Sequence, residues 1–185
     1  MGQKEELSSV IRQVLQDGAI ELADIPQIDL YIDQITTLVD SKLSGMCRTP
    51  EDKLLTKAMV NNYSKEKLIS PTKGKKYNRE QIIRILMICY LKQVLSIQDI
   101  KRLLSLVEGE EEAQNIYEML LREKQQATGQ ISADTQRYLS FEETMEPADA
   151  VGLIVHLALL SSYTKRVSEA LIDRLFSQQD EGSVN

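Results

Sequence analysis

"LTKAMVNNYSKEKLISPTKGKKYNREQI", Leu55 to Ile82, decides how the chain is read. It holds six lysines, the adjacent amides Asn61 and Asn62, two tyrosines, and a loop marked by Pro71 and Gly74. Two helix starts compete ahead of it. Thr49 followed by Pro50, Glu51 and Asp52 combines a capping hydroxyl, a proline that needs no N–H partner and acids at the positive helix end. Thr56 offers a second cap, and the spacing favours a break near it, with a separate helix over 57–67. Ser70 before Pro71 is pushed towards extended backbone and Gly74 can turn, which predicts a small loop or two short strands over 70–77. Asn78 with Gln81 forms a capping box for the next helix, Arg79 to Val94. "IIRILMICYL" is apolar on several faces, so that helix is expected to be central and buried. Ser96 and Asp99 make a second box, and Ile97, Ile100, Leu103, Leu104 and Val107 define the helix after it.

Working outward, both flanks read as helix. Leu7, Val10, Ile11, Val14 and Leu15 recur at three and four, ending near Gly18; Ile28, Ile32, Ile35 and Val39 repeat the pattern, with Leu38 and Leu43 beside them. Past "EGEEE", Ala113, Ile116, Tyr117, Leu120 and Leu121 form another face. A short helix is expected over Asp134 to Met145. Pro147 opens a long stretch to about Gln178, with a break at Ser161 and Ser162 as an option. Gly (8) and Pro (4) are scarce and no alternating runs occur, so the fold class is all-α. The expected organisation is 1–52 as N-terminal helices packing on the core, 53–107 as the core motif, 108–178 as a C-terminal helical region and 179–185 as a disordered tail.

The chain of 185 residues carries a net charge of −6, unevenly spread. From Lys53 to Arg102 there are 12 basic residues against Glu66, Glu80 and Asp99, a window of +9, while the remainder stands at −15. A basic island in an acidic chain suits a polyanion partner for the island alone; the plainer alternative is that its lysines are the solvated faces of helices. The N-terminus carries charges and no apolar run, and "AVGLIVHLALL", Ala150 to Leu160, is too short for a bilayer. A cytoplasmic protein is expected.

Enzyme signals are lacking. The single histidine, His156, lies in an apolar helix and reads as a core or interface residue. No Ser-His-Asp set, P-loop or glycine-rich dinucleotide turn can be named. Cys47 and Cys89 make neither a metal pattern nor a disulfide framework, and Cys89 reads as a small buried hydrophobe. The carboxylates of "EGEEE" are adjacent solvated charges at a helix start. No catalytic function, cofactor or metal is expected.

"NNYSKEKLISP", then "KKYNREQI", then "LKQVLSIQDIKRLL" resembles the winged helix-turn-helix of MerR-type regulators. Tyr63 falls where that family has the second tyrosine of an Arg-Tyr-Tyr; Leu68, Ile69 and Pro71 fall on its helix end. Lys75 lies at its wing arginine and Tyr77 at its wing tyrosine. Ser96, Ile97 and Ile100 match its last turn and helix. The resemblance departs at Asn61 and Asn62, which leave out a phosphate-binding arginine, and at Lys67, where the family has glycine. More of the chain, including "DLYIDQI" (Asp29 to Ile35), "LTKAMVNNYSK" (Leu55 to Lys65) and "LKQVLSIQDI" (Leu91 to Ile100), resembles a bacterial domain-of-unknown-function family, numbered eighteen thirty-six.

The MerR resemblance implies a transcriptional regulator that binds double-stranded DNA with a recognition helix (57–67) and a basic wing (70–77). Lys57, Asn61 and Lys65 are four apart and share one helix face, with Asn62 beside them, while Val60 and Tyr63 point inward. Asparagine can bond an adenine edge twice, and lysine can reach a guanine edge or a phosphate. Lys73, Lys75 and Lys76 on the wing would set register on the backbone. Tyr77 and Arg79 complete the candidate DNA-binding set. Leu153, Leu157, Leu160, Val167, Leu171 and Leu175 give the C-terminal helices a surface for a homodimer. They suit equally a protein-interaction module whose basic island is incidental.

Overall fold

The computed structural model describes residues 3–140 and 146–181. Among these the chain is mostly α-helical, with seven α-helices and one small antiparallel sheet. The helices are α1 (Gln3–Leu15), α2 (Ile32–Leu43), α3 (Lys57–Lys65), α4 (Arg79–Leu91), α5 (Ile97–Leu104), α6 (Gly109–Ser140) and α7 (Pro147–Glu181). The chain divides into two units: one is 17–123, the other comprises 1–16 and 124–185, and one boundary falls within α6.

The unit 17–123 is built around α4. Asn78 Oδ1 accepts from the Gln81 N–H and Gln81 Oε1 accepts from the Asn78 N–H, both at 2.9 Å, so the expected capping box opens the helix. Ile82, Ile83, Ile85, Leu86, Ile88 and Cys89 are fully buried. Four isoleucines cost together less than about 3 kcal/mol in helix propensity, whereas burying each contributes about 1.5–3 kcal/mol. Burial decides the outcome. The cluster around α4 draws from every element of this unit, from Ile20 through Ile35, Val39, Val60, Tyr63 and Ile100 to Tyr117. The unit thus extends beyond 53–107 on both sides.

Polar side chains on and beside α4 bind the irregular segments to it. Arg79 donates to the carbonyls of Ile25 (2.5 Å) and Leu22 (2.8 Å). Gln81, itself buried, donates to the Ser70 carbonyl at 2.9 Å and the Pro71 carbonyl at 3.3 Å. Arg84 donates to Leu104 (3.1 Å) and Val107 (2.5 Å), the carbonyls at the end of α5. Lys92 donates to Leu54 at 2.5 Å. A buried carbonyl left without a donor costs about 1–3 kcal/mol, so these contacts fix the loops rather than decorate them.

Both helix starts ahead of α3 are occupied, but only one opens a helix. The Thr49 N–H donates to Asp52 Oδ2 (2.9 Å) and the Asp52 N–H to Thr49 (3.1 Å), which closes a turn. The chain then runs irregularly with Leu54 and Leu55 buried, and Thr56 caps α3 by accepting from the Met59 N–H at 3.2 Å. α3 ends at Lys65, two residues short of the expected helix. Lys67 has φ +60°, the Leu68 N–H donates to Tyr63 (2.9 Å), and the Lys67 N–H donates to Ser64 (3.2 Å), a Schellman ending. At 73–76 a two-residue turn has Gly74 at φ +61° and Lys75 at φ +62°, the pair of positive values a type I′ hairpin requires. β2 (Lys76–Tyr77) pairs antiparallel not with a neighbour but with β1 (Leu30–Tyr31). Lys67 and Lys75 are the non-glycine residues at positive φ among those described, and each such position costs about 1–2 kcal/mol for a residue with a Cβ.

In the other unit, α6 continues through Thr128 and Gly129, and α7 runs unbroken past Ser161 and Ser162 to Glu181. Residues 179–181 therefore extend α7, while 182–185 of the expected tail lie outside the described residues. Residues 134–140 belong to α6, and the remainder of the helix expected to Met145 lies outside them as well. Leu139, Leu153, Ile172 and Phe176 are buried. His156 is exposed, contrary to a core role, and its ring stacks on Tyr138 with centroids 6.4 Å apart.

Two glycines at positive φ separate backbone strain from close approach. At Gly18 (φ +80°) a Cβ would run into the Lys42 carbonyl, whereas at Gly74 nothing lies within 4 Å. Gly18→Ala is expected to lower stability by about 2–4 kcal/mol and Gly74→Ala by about 1 kcal/mol in urea unfolding. Equal losses would contradict the packing of the loop on α2.

Candidate nucleic-acid interface

α3 divides cleanly by burial. Val60 and Tyr63 are buried, Met59 is half-buried, and Lys57, Asn61, Asn62 and Lys65 are exposed. The four-residue spacing thus places Lys57, Asn61 and Lys65 on the outer face with Asn62 beside them. The Asn61 and Asn62 side-chain amides have no partner within the protein among the described contacts. Beyond the helix, Lys67, Lys73, Lys75 and Lys76 are exposed along the turn and hairpin.

Pairing separates the basic residues further. Lys57 Nζ lies 2.6 Å from Asp33 Oδ1 on α2, both side chains well exposed. Lys53 pairs with Asp40 at 2.9 Å, and Arg102 lies 3.9 Å from Asp99. Lys65, Lys67, Lys73, Lys75 and Lys76 have no carboxylate partner among the described residues. Lys76 Nζ instead sits 5.1 Å over the ring of Tyr31, which turns that lysine back against β1. Glu66, half-buried, is the acid within the same stretch. Exposed ammonium groups without carboxylate partners raise the local potential and favour a polyanion.

Two members of the expected set are not displayed. Tyr77 is 8% exposed, placed by the β1–β2 pairing, and burial raises its phenol pKa. Arg79 is spent on the Leu22 and Ile25 carbonyls, with Glu110 3.8 Å from its Nε, so its guanidinium faces inward. A sequence pattern shows the charge of such an arginine but not the carbonyls that await it. Beneath the interface, burial pushes the Tyr63 phenol and the Cys89 thiol up to about 12, Cys89 despite the opposing field of Lys92. Both stay neutral and add no negative charge under the rim.

What sequence reasoning missed is Lys67, Asp33 as the partner of Lys57, and the strand at 30–31 behind the hairpin. The four-residue periodicity of α3 carried no sign of any of them. A cavity of about 430 Å³ lies between residues 46–54 and Lys92–Gln93 and is lined in part by the half-buried Cys47. Among the described residues, no group of three or more His, Cys, Asp or Glu could hold a metal ion, and no helix is long and apolar enough to cross a membrane.

The fold and site define a mostly helical protein that displays a basic helix end and hairpin on a buried central helix. The chain belongs to the family described as Domain of unknown function (DUF1836), whose model matches residues 20–120. No curated protein and no solved structure matches it. The match covers β1 to the first turns of α6, and so every residue of the basic rim.

The division of cations into structural and displayed is directly testable. Arg79→Gln is expected to cost about 2–4 kcal/mol in thermal or denaturant unfolding, because two carbonyls lose a charged donor. Lys73→Ala should stay within about 0.5 kcal/mol of the parent. An Arg79→Gln protein as stable as the parent would contradict the inward placement.

Proposed function

We propose that this protein is a bacterial, cytoplasmic, non-enzymatic regulator of transcription that binds duplex DNA with residues 53–107 as a MerR-like winged helix-turn-helix. In this reading α3 enters the major groove, and the Lys73–Lys76 hairpin is the wing. The observation that carries the reading is the exposure of Asn61 and Asn62 beside lysines without carboxylate partners, while Lys53, Lys57 and Arg84 are ion-paired and Arg79 and Lys92 donate to backbone carbonyls. Asparagine amides supply base-edge recognition, and the lysines hold phosphates. Lys57 would exchange Asp33 for a phosphate or base edge; an exposed pair of that kind is worth about 0–1 kcal/mol, so the exchange is cheap.

Changing Lys73, Lys75 and Lys76 to Ala is expected to weaken duplex binding across sequences and to lower the salt slope of log K by roughly 1–3. Changing Asn61 or Asn62 to Ala should relax sequence preference instead. Affinity measured over a salt series on selected and scrambled duplexes separates the two effects. Retained slope in the triple variant would count against the wing, and full selectivity in the asparagine variants would remove them from the readout.

The surface of α7 supports a second element of the reading, a homodimer. Nine large apolar side chains between Val151 and Leu175 are 40–65% exposed. Leu160, Val167, Leu171 and Leu175 are among them; Leu153 is buried and Leu157 half-buried. Leu160, Val167, Leu171 and Leu175 lie within about a quarter turn of one another around the helix, a stripe that a second helix can cover. A second copy would cover it and present two DNA-reading units to a two-fold site. The same face favours the alternative, a protein-interaction module without specific DNA binding. Light scattering is expected to show a dimer that Val167→Glu with Leu171→Glu converts to monomer, with weaker retention on a two-fold site. A monomeric parent protein would overturn the dimer.

A further inference from the structure

Lys67 and Lys75 are the non-glycine residues at positive φ among those described, and both are lysines of the same basic rim. Lys67 closes α3 at φ +60°; Lys75 occupies the hairpin tip at φ +62°. Glycine adopts this conformation at no steric cost, and asparagine adopts it readily. Lysine gains nothing locally from it. Lys67 is exposed, and its contribution to the helix ending is its backbone N–H, donated to Ser64 at 3.2 Å, which any residue but proline supplies. Its side chain has no ion-pair partner among the described residues. A strained position that keeps a long cationic side chain, where glycine would satisfy every backbone need, indicates that the charge is used.

The backbone conformation also aims the charge. Tyr63, Leu68 and Ile69 are buried on either side of the turn, so the helix ending is locked and Lys67 stands on a fixed Cα rather than on a mobile loop. We infer that Lys67 is a DNA-backbone anchor at the helix end, binding a phosphate between the groove entered by α3 and the phosphates held by Lys73 and Lys75. The inference rests on the DNA-binding reading above and extends its contact set to a residue that neither helix periodicity nor the wing includes. It also implies that the protein gives up stability at this position to keep the contact.

The test pairs stability with binding in Lys67→Gly, Lys67→Arg and the parent. Lys67→Gly keeps the helix ending and relieves the backbone, so its Tm is expected to rise by roughly 2–4 °C. Its affinity for duplex DNA should fall by about tenfold at moderate salt, with about one unit lost from the salt slope. Lys67→Arg keeps charge and backbone, and should match the parent in both readouts. A Lys67→Gly protein that is more stable and binds with the parent's affinity and slope would overturn the anchor. If the parent shows no salt-dependent retention of duplex DNA, the DNA-binding reading itself falls, and the inference with it.

Discussion

A helix that is apolar on nearly every side must be enclosed, and enclosing α4 is the constraint on which the 17–123 unit depends. The enclosing chain includes four irregular segments beside the other helices: the segment before β1, the connector between α2 and α3, the turn before the hairpin, and the end of α5. Such segments bring carbonyls to a dry core with no ladder to satisfy them. The protein answers with side chains from α4 and its C-cap. Arg79 reaches Leu22 and Ile25, Gln81 reaches Ser70 and Pro71, Arg84 reaches Leu104 and Val107, and Lys92 reaches Leu54. These contacts also sort the basic residues by job. Those drawn into the scaffold face inward, and the lysines left on the α3 end and hairpin are free to set the surface potential.

Sequence reading succeeded wherever a local rule was uncontested. Thr56 caps α3, the Asn78–Gln81 box opens α4, and Val60 and Tyr63 turn inward because each feature needs only neighbours within one helical turn. It failed where two rules compete or where partners are distant. Thr49 and Asp52 make the hydrogen bonds of a helix start, yet the buried Leu54 and Leu55 hold the chain out of helix. β1 and β2 pair across the whole of α2 and α3 with two residues each, too few for any alternation to show. Ser161 and Ser162 did not break α7, since serine is only mildly unfavourable inside a helix.

The candidate site was legible in kind more than in membership. The charge island and the four-residue spacing on α3 located the exposed face. Side-chain direction, however, is decided by what the rest of the fold leaves unsatisfied. Tyr77 was drawn into the core by β-pairing and Arg79 by two orphan carbonyls. Lys67 entered through a backbone angle that composition does not reveal. The exposed apolar side chains of α7 belong to a separate unit.

The most direct measurement follows lysine ammonium, arginine guanidinium and asparagine side-chain amide signals by nitrogen-15 NMR. The full chain is titrated with a duplex recovered by the protein from genomic fragments. Signals of Lys65, Lys67, Lys73, Lys75, Asn61 and Asn62 are expected to shift together, while those of Arg79, Arg84 and Lys92 stay in place. Shifts confined to other surfaces, or a scaffold set that moves while the rim does not, would contradict the division between structural and displayed cations.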